Sequence, residues 1–256
     1  SADDGSTGHE LWAHDTSNST TWQVANIRSG SVSSYAGSYI SMLVGDTLYF
    51  GANDGTNGME LWKSDGTSSG TFMLKDINSG SGTSHPHWFA TFGGELYFAA
   101  YDGIHGLELW KSDGTATGTE MVLDIRSGSS NSAPNFLSAV GTKIFFEADD
   151  GINGSELWVS DGTATGTVLV KDIAPSSGAD SDPYMLTNLG DTLYFSANDG
   201  TNGLEIWSSD GTEEGTVRMS SLNWNGIYPF EMMNSTTNYY VVIVNGNGFI
   251  LFIHSL

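Results

Sequence analysis

The chain has 256 residues, with 30 Asp and Glu against 8 Lys and Arg, a net charge of −22 and no cysteine. That charge balance argues against nucleic acid and anionic membrane surfaces as partners, since both require cationic patches. The lack of cysteine excludes disulfides, thiolate metal ligands and a cysteine nucleophile, and no apolar run reaches the length of a membrane span.

Taken in order, the chain opens on Ser1-Ala2-Asp3-Asp4-Gly5, which aligns with Ser196-Ala197-Asn198-Asp199-Gly200 in the middle of a later repeat. It therefore starts inside a unit, as a processed piece would, and without signal-peptide character. Glu10-Leu11-Trp12 is the first copy of a triplet that returns at Glu60, Glu108, Glu156 and, with Ile206 for leucine, at Glu205; the intervals are 50, 48, 48 and 49 residues. A fixed period in this range is the mark of a repeat architecture. Each full unit reads as four short strands. In the unit near residue 86, these are Trp88 to Phe92, Glu95 to Ala100, Leu107 to Ser112 and Glu120 to Ile125, separated by Gly93-Gly94, Asp102-Gly103 and Asp113-Gly114-Thr115. Aromatic and β-branched runs punctuated by Asp-Gly and Gly-Gly are strand and hairpin signals. No stretch carries a helical period of apolar residues.

Four antiparallel strands in about 48 residues is the size of a propeller blade. Inner strands are expected near Ile40-Val44, Trp88-Phe92, Phe136-Val140, Met185-Leu189 and Tyr228-Met233. Second strands end with Tyr239 to Ile243, outer strands begin with Thr21 to Ile27, and Phe249 to Phe252 supplies one more third strand than the ring needs. The expected fold is thus a single all-β domain over residues 1–256, a five-bladed β-propeller with four-stranded blades, its ring closed by pairing of N- and C-terminal strands. In that arrangement the C-terminus gives the three inner strands of a mixed blade and the N-terminus its outer strand. Glu10-Leu11-Trp12 and Phe249 to Phe252 then compete for one slot, and whichever is surplus becomes a candidate for strand exchange in a homo-oligomer.

The order of motifs resembles that of WD-repeat propellers, carried here by Leu193-Tyr194-Phe195, Asp199-Gly200, Ile206-Trp207 and Gly215-Thr216, although the Gly-His dipeptide of that family is absent. The pattern E-L-W-x-x-D-G-T-x-x-G-T-x-x-V-x-D-I, complete from Glu156 to Ile173, is similar to repeats of secreted bacterial proteins. That likeness covers nearly the whole chain and implies a propeller architecture and an extracellular or cell-surface location.

The recurrent Trp12, Trp62, Trp110, Trp158 and Trp207 are expected to pack between sheets, because a residue present in every unit at one strand position is usually core. The glutamates two positions earlier share that face, so each needs a partner such as a backbone amide of a neighbouring turn. The turns at Asp54, Asp102, Asp150 and Asp199 place glycine where tight hairpins need positive φ. Their recurring oxygens, as in Asp54, Asn57 and Glu60, also suggest calcium, though without the spacing of an EF-hand loop. These turns are expected to share a face with the long links into the inner strands, where the repeats differ most. Variation on a constant scaffold marks recognition, and the links carry His85, His87, Trp88, Tyr184, Trp224 and Tyr228. Aromatics with polar neighbours suit a glycan. Asp182 and Glu231 are the carboxylates near an inner strand, and no nucleophile elbow, P-loop or zincin motif occurs. The sequence thus points to an extracellular, non-enzymatic, lectin-like binding module. A structural or adhesive subunit joined through the surplus strand and a glycosidase-like hydrolase are the alternatives. Asn18, Asn153 and Asn234 begin glycosylation triplets.

Overall fold

The structure, a computed structural model, describes residues 1–38 and 40–219, together with the backbone of residues 232–235 and 238–241. Every element among the described residues is a strand. The first sheet holds β1 (Ala2–Asp3), β2 (His9–Asp15) and β3 (Thr20–Ala25) in that order. The second runs β4 (Ser41–Val44), β5 (Thr47–Asn53), β6 (Met59–Ser64) and β7 (Phe72–Lys75). The third runs β8 (His87–Phe92), β9 (Glu95–Tyr101), β10 (Leu107–Ser112) and β11 (Thr119–Leu123). The fourth holds β12 (Asn135–Val140), β13 (Lys143–Asp149), β14 (Ser155–Ser160) and β15 (Val168–Lys171). The fifth holds β16 (Tyr184–Leu189), β17 (Thr192–Asn198), β18 (Leu204–Ser209) and β19 (Val217–Arg218), and a hairpin of β20 (Met232–Ser235) and β21 (Asn238–Val241) follows. All pairings are antiparallel between chain neighbours, and the first strands β4, β8, β12 and β16 touch in succession. The arrangement is propeller-like.

One expectation changes. The third-strand slot beside β3 is filled by β2 itself, with Leu11 opposite Ala25 and Trp12 opposite Gln23. Glu10-Leu11-Trp12 is therefore an ordinary third strand, because its own turn leads directly into β3. The N-terminus gives three strands to this sheet rather than one. Phe249 to Phe252 lies outside the described residues.

The triplet explains how sheets stack. Successive strand residues point to opposite faces, so Leu and Trp of one triplet serve different interfaces. Leu11 clusters with Trp62, Leu61 with Trp110, Leu109 with Trp158 and Leu157 with Trp207. The second, third and fourth sheets each offer a leucine forward and a tryptophan backward.

The glutamates do what their burial demands. Glu60, Glu108 and Glu156 are fully shielded from solvent. Glu108 accepts the Ile125 amide at 2.9 Å, the Ser132 amide at 3.0 Å and the Ser132 hydroxyl at 2.5 Å. Glu60 accepts the amides of Ile77 and Ser84 at 2.8 and 3.0 Å, and Glu156 the amide of Ile173 and the hydroxyl of Ser181 at 2.9 and 2.6 Å. The serines are hubs in their own right. The Ser132 amide also donates to the Leu107 carbonyl of one sheet, while its carbonyl accepts the Asp149 amide of the next. Ser34, Ser84 and Ser181 do the same, and these bonds place the Asp-Gly turns and the links on one face, as expected.

Replacing Glu108 by alanine strands the Ile125 amide in a dry interface, at roughly 1–3 kcal/mol for a donor left without a partner, and leaves the Ser132 amide and hydroxyl to share the Leu107 carbonyl. We expect Glu108→Ala to cost about 2–4 kcal/mol of stability at pH 6, read as a lowered urea midpoint at unchanged m-value. Glu120→Ala should cost less than about 1 kcal/mol, because Glu120 makes only an exposed pair with Lys111 at 3.6 Å.

Candidate functional site

The links deliver the chain into β8, β12 and β16 through a bulge. Trp88 and Phe89 lie between the pairs His87–Ala99 and Ala90–Tyr97, so two residues oppose one. The same shift places Phe136 and Leu137 in β12, and Met185 and Leu186 in β16. The first residue of each bulge has left-handed backbone: φ is 54° at Trp88, 55° at Phe136 and 56° at Met185. Such values are strained for bulky side chains and persist only where the surroundings impose them. Bulges of this kind re-aim a side chain. Here Trp88 and Met185 remain 37% and 40% exposed, and the Trp88 ring lies 4.8 Å from that of Phe136 at a 53° tilt.

Polar groups flank this pair along the chain. His85, also left-handed at φ 46°, is exposed, and its carbonyl accepts the Nδ1–H of His87 at 2.6 Å. That bond fixes the ring and leaves Nε2 as its acceptor in the neutral state. Burial, with the neighbouring His87, holds His85 below the usual histidine range. Beside Phe136, Asn135 donates through Nδ2 to Glu147 Oε2 at 3.3 Å. Glu147 is 92% buried on β13, and burial raises its carboxyl, with Asp182 and Asp180 adding like charge. Asp182 is raised by burial and by Asp180. The position of Glu147 is held by Gly51, Ala99 and Ser196 in the other sheets, opposite Leu61, Leu109 and Ile206 as Glu147 is opposite Leu157. Among these four sheets, the fourth alone puts an acid there.

Of the residues singled out in the sequence, His85, His87 and Trp88 come together. Tyr184 opens β16, separated from β8 by the intervening β12. Trp224, Tyr228 and Glu231 lie outside the described residues. Phe136, Met185, Asn135 and Glu147 were not singled out. The signal for Glu147 was its departure from Gly, Ala and Ser at one register position.

Asp54, Asp102, Asp150 and Asp199 lie in four separate turns. Asp54 Oδ1 accepts the amides of Thr56 and Asn57 at 2.7 and 2.8 Å, and Oδ2 accepts Asn57 Nδ2 at 2.7 Å. Asp150 and Asp199 repeat this with Asn153 and Asn202, and in Asp102 the ring of His105 replaces the amide at 2.6 Å. Burial opposes ionisation of all four, but the turn's hydrogen bonds outweigh it and hold each below the ordinary value. Among the described residues, no three His, Asp or Glu side chains are placed to hold one metal ion.

No family model and no curated protein matches the chain. Solved structures do. A puromycin hydrolase mutant complexed with PGG superposes with TM-score 0.53 at 13% identity, over 91% of this chain and 35% of that one. Puromycin hydrolase itself gives TM-score 0.50 at 13% identity, over 86% of this chain and 34% of that one. The chain thus spans about a third of the length of these structures, and the likeness is one of fold.

The buried carboxyl of Glu147 yields a sign for its pH dependence. Its folded-state value is raised, so the stability it contributes is full below the unfolded value and is lost as pH rises through the folded one. Glu147→Gln keeps the neutral shape at every pH. Urea midpoints of the variant and the parent should nearly coincide near pH 4, and the variant should be the more stable at pH 8.

Proposed function

We propose that this chain is a five-bladed propeller acting outside the cell as a non-enzymatic module that binds a glycan at the mouth formed by the bulged inner strands. The observation that carries the reading is the Trp88–Phe136 pair: two aromatic rings from adjacent sheets, held in left-handed backbone, one of them 37% exposed. A sugar presents an apolar face for stacking and a hydroxyl rim for hydrogen bonds. His87 and Asn135, the chain neighbours of the two rings, would meet that rim. Export is supported by the acidic composition and by the resemblance of the repeats to those of secreted proteins.

The interfaces support a count of five blades. Four leucine–tryptophan pairings are filled. The fifth sheet carries Ile206 at the register position of those leucines, and the first sheet carries Trp12, half-buried, at the position of those tryptophans. A five-membered ring sets these two against each other, with β20 and β21 as the inner strands beside β1 and β2. In a closed ring Trp12→Ala should cost as much as Trp110→Ala, about 3–5 kcal/mol. A Trp12→Ala cost below about 1.5 kcal/mol in urea unfolding would instead mean that this face is an open end.

The binding reading is tested on an array of oligosaccharides, with calorimetry on those retained. Trp88→Ala and Phe136→Ala should each weaken binding about tenfold or more, with little change in melting temperature for the exposed Trp88. A parent protein that retains no oligosaccharide, or a Trp88→Ala variant that binds as the parent does, would end the glycan proposal.

A further inference from the structure

The repeat also fails at a turn on the end of the first sheet away from the links. In the second to fifth sheets the D-G-T-x-x-G-T turn joins the third strand to the fourth. A pair of hydroxyls seven residues apart closes it: Ser64 with Thr71, Ser112 with Thr119, Ser160 with Thr167 and Ser209 with Thr216, each at 2.7 Å. Within the turn, the amide of Gly70, Gly118, Gly166 or Gly215 donates to the threonine three residues earlier. No side chain fits at these glycines. A Cβ on Gly70 would stand 2.0 Å from Asp65 Oδ1, and one on Gly118 2.1 Å from Asp113 Oδ1.

The first sheet keeps the span and loses both glycines. His14 Nδ1 meets the Thr21 hydroxyl at 2.7 Å, again seven residues apart. Asp15 accepts the amide and hydroxyl of Ser17 at 2.8 and 2.7 Å, as Asp65 does those of Thr67. Thr16 and Thr20, however, stand where the second sheet has Gly66 and Gly70. A threonine in the place of Gly70 excludes the same backbone, and the turn is rebuilt around Asn18. Asn18 Oδ1 accepts the Thr20 amide at 3.0 Å and the Thr20 hydroxyl at 2.6 Å, and Ser19 between them is left-handed at φ 56°. An asparagine side chain that bonds the backbone two residues on is an Asx-turn. Residues 16–20 are all exposed. They contain Asn18-Ser19-Thr20, one of the three N-x-[ST] triplets of the chain.

We propose that Asn18 is the acceptor of an N-linked glycan, and that the fold withholds Asn153 from the same reaction. The triplet requires an amide and the hydroxyl two residues on within one reach. At Asn18 they already touch, in solvent. One Nδ2–H donates to Asp15 Oδ2 at 2.8 Å, and the other has no partner among the described residues. In the transfer, Nδ2 attacks C1 of the first sugar of a polyprenyl-diphosphate-linked oligosaccharide. The N–C1 bond forms, the C1–O bond to the diphosphate breaks, the diphosphate leaves with the bonding pair and the amide nitrogen loses one proton. The catalyst is a membrane oligosaccharyltransferase.

Asn153 has none of this freedom. It is half-buried, its Nδ2 donates to Asp150 Oδ2 at 2.7 Å, and its own amide donates to Asp150 Oδ1 at 2.8 Å. A Cβ on the following Gly154 would lie 2.2 Å from the Ala179 carbonyl oxygen, so the link covers the middle of the triplet. Ser155 is already in β14, opposite Asp149, with its amide on Asp180 Oδ1 at 2.8 Å. Asn234 lies in β20 opposite Tyr239, and its Thr236 lies outside the described residues. A glycan on Asn18 leaves the sheet at the end opposite the links and does not cover Trp88. Occupancy in the source cell rests on the export proposed above, whereas the ability of Asn18 to accept does not.

That ability is measured by incubating the folded full chain with a purified oligosaccharyltransferase and its lipid-linked oligosaccharide, and reading each asparagine by peptide mass spectrometry. Synthetic peptides spanning residues 13–23 and 148–158 are run beside it. Both peptides should be modified. The folded chain should gain an oligosaccharide on Asn18 and none on Asn153, and Thr20→Val should abolish transfer to Asn18 with the melting temperature unchanged. A refused 13–23 peptide would show that the triplet is no acceptor. An accepted peptide with Asn18 untouched in the folded chain would show that the turn does not present it. Equal modification of Asn18 and Asn153 in the folded chain would overturn the selection.

Discussion

The fold depends on one kind of contact: a buried carboxylate accepting backbone amides from the link that leaves its own sheet. The propeller-like stack has no hydrogen-bond ladder between sheets, so apolar contact alone would let neighbours slide. Glu108 prevents this by holding Ile125 and Ser132 together, and Ser132 then bonds the third strand of one sheet and the second strand of the next. A neutral side chain with one acceptor could not hold both amides and the hydroxyl. The carboxylate is retained although burial works against its charge, because without it the Ile125 amide loses its acceptor and Ser132 is left with the Leu107 carbonyl alone.

The leucine–tryptophan alternation fills the space that this contact sets. A register shift between Leu and Trp recurs in the triplets that begin at Glu10, Glu60, Glu108 and Glu156. It twists the strand locally and lets neighbouring residues serve opposite interfaces. The indole nitrogens of Trp12, Trp62, Trp110 and Trp158 find no partner in the process. Packing of the ring face outweighs the lost hydrogen bond, as expected when a large aromatic buries its whole apolar surface.

Much of this frame was legible in the sequence because it repeats. The period gave the strands to within a residue or two, as in Leu107–Ser112. The shared strand face of glutamate and tryptophan gave the bond to a backbone amide. The serine hubs were not noticed, since serine is common in every link and only the hydrogen bonds single out Ser84 or Ser132. The left-handed backbone at Trp88, Phe136 and Met185 could not be read at all. No local propensity favours it in bulky residues, and the bulge and the anchors beside it impose it. Glu147 became visible only once register aligned it with Gly51, Ala99 and Ser196.

The strong negative charge has a structural use in the turns. Asp65, Asp113, Asp161 and Asp210 each accept the amide and hydroxyl of the threonine two residues on, closing the D-G-T turn. Asp54, Asp102, Asp150 and Asp199 close the other hairpin in the same manner. An ionised carboxylate accepts several turn amides at once and tolerates the tight backbone, which is why each repeat uses it twice. Much of the charge is thus turn chemistry multiplied by the period. What distinguishes one sheet from another is concentrated where the period fails, at the bulged entrances of β8, β12 and β16 and at the single acid beneath them. The constant carboxylates build the scaffold, whereas the inconstant one, Glu147, is buried on β13 opposite the strand-entry bulge of β12, where the period fails.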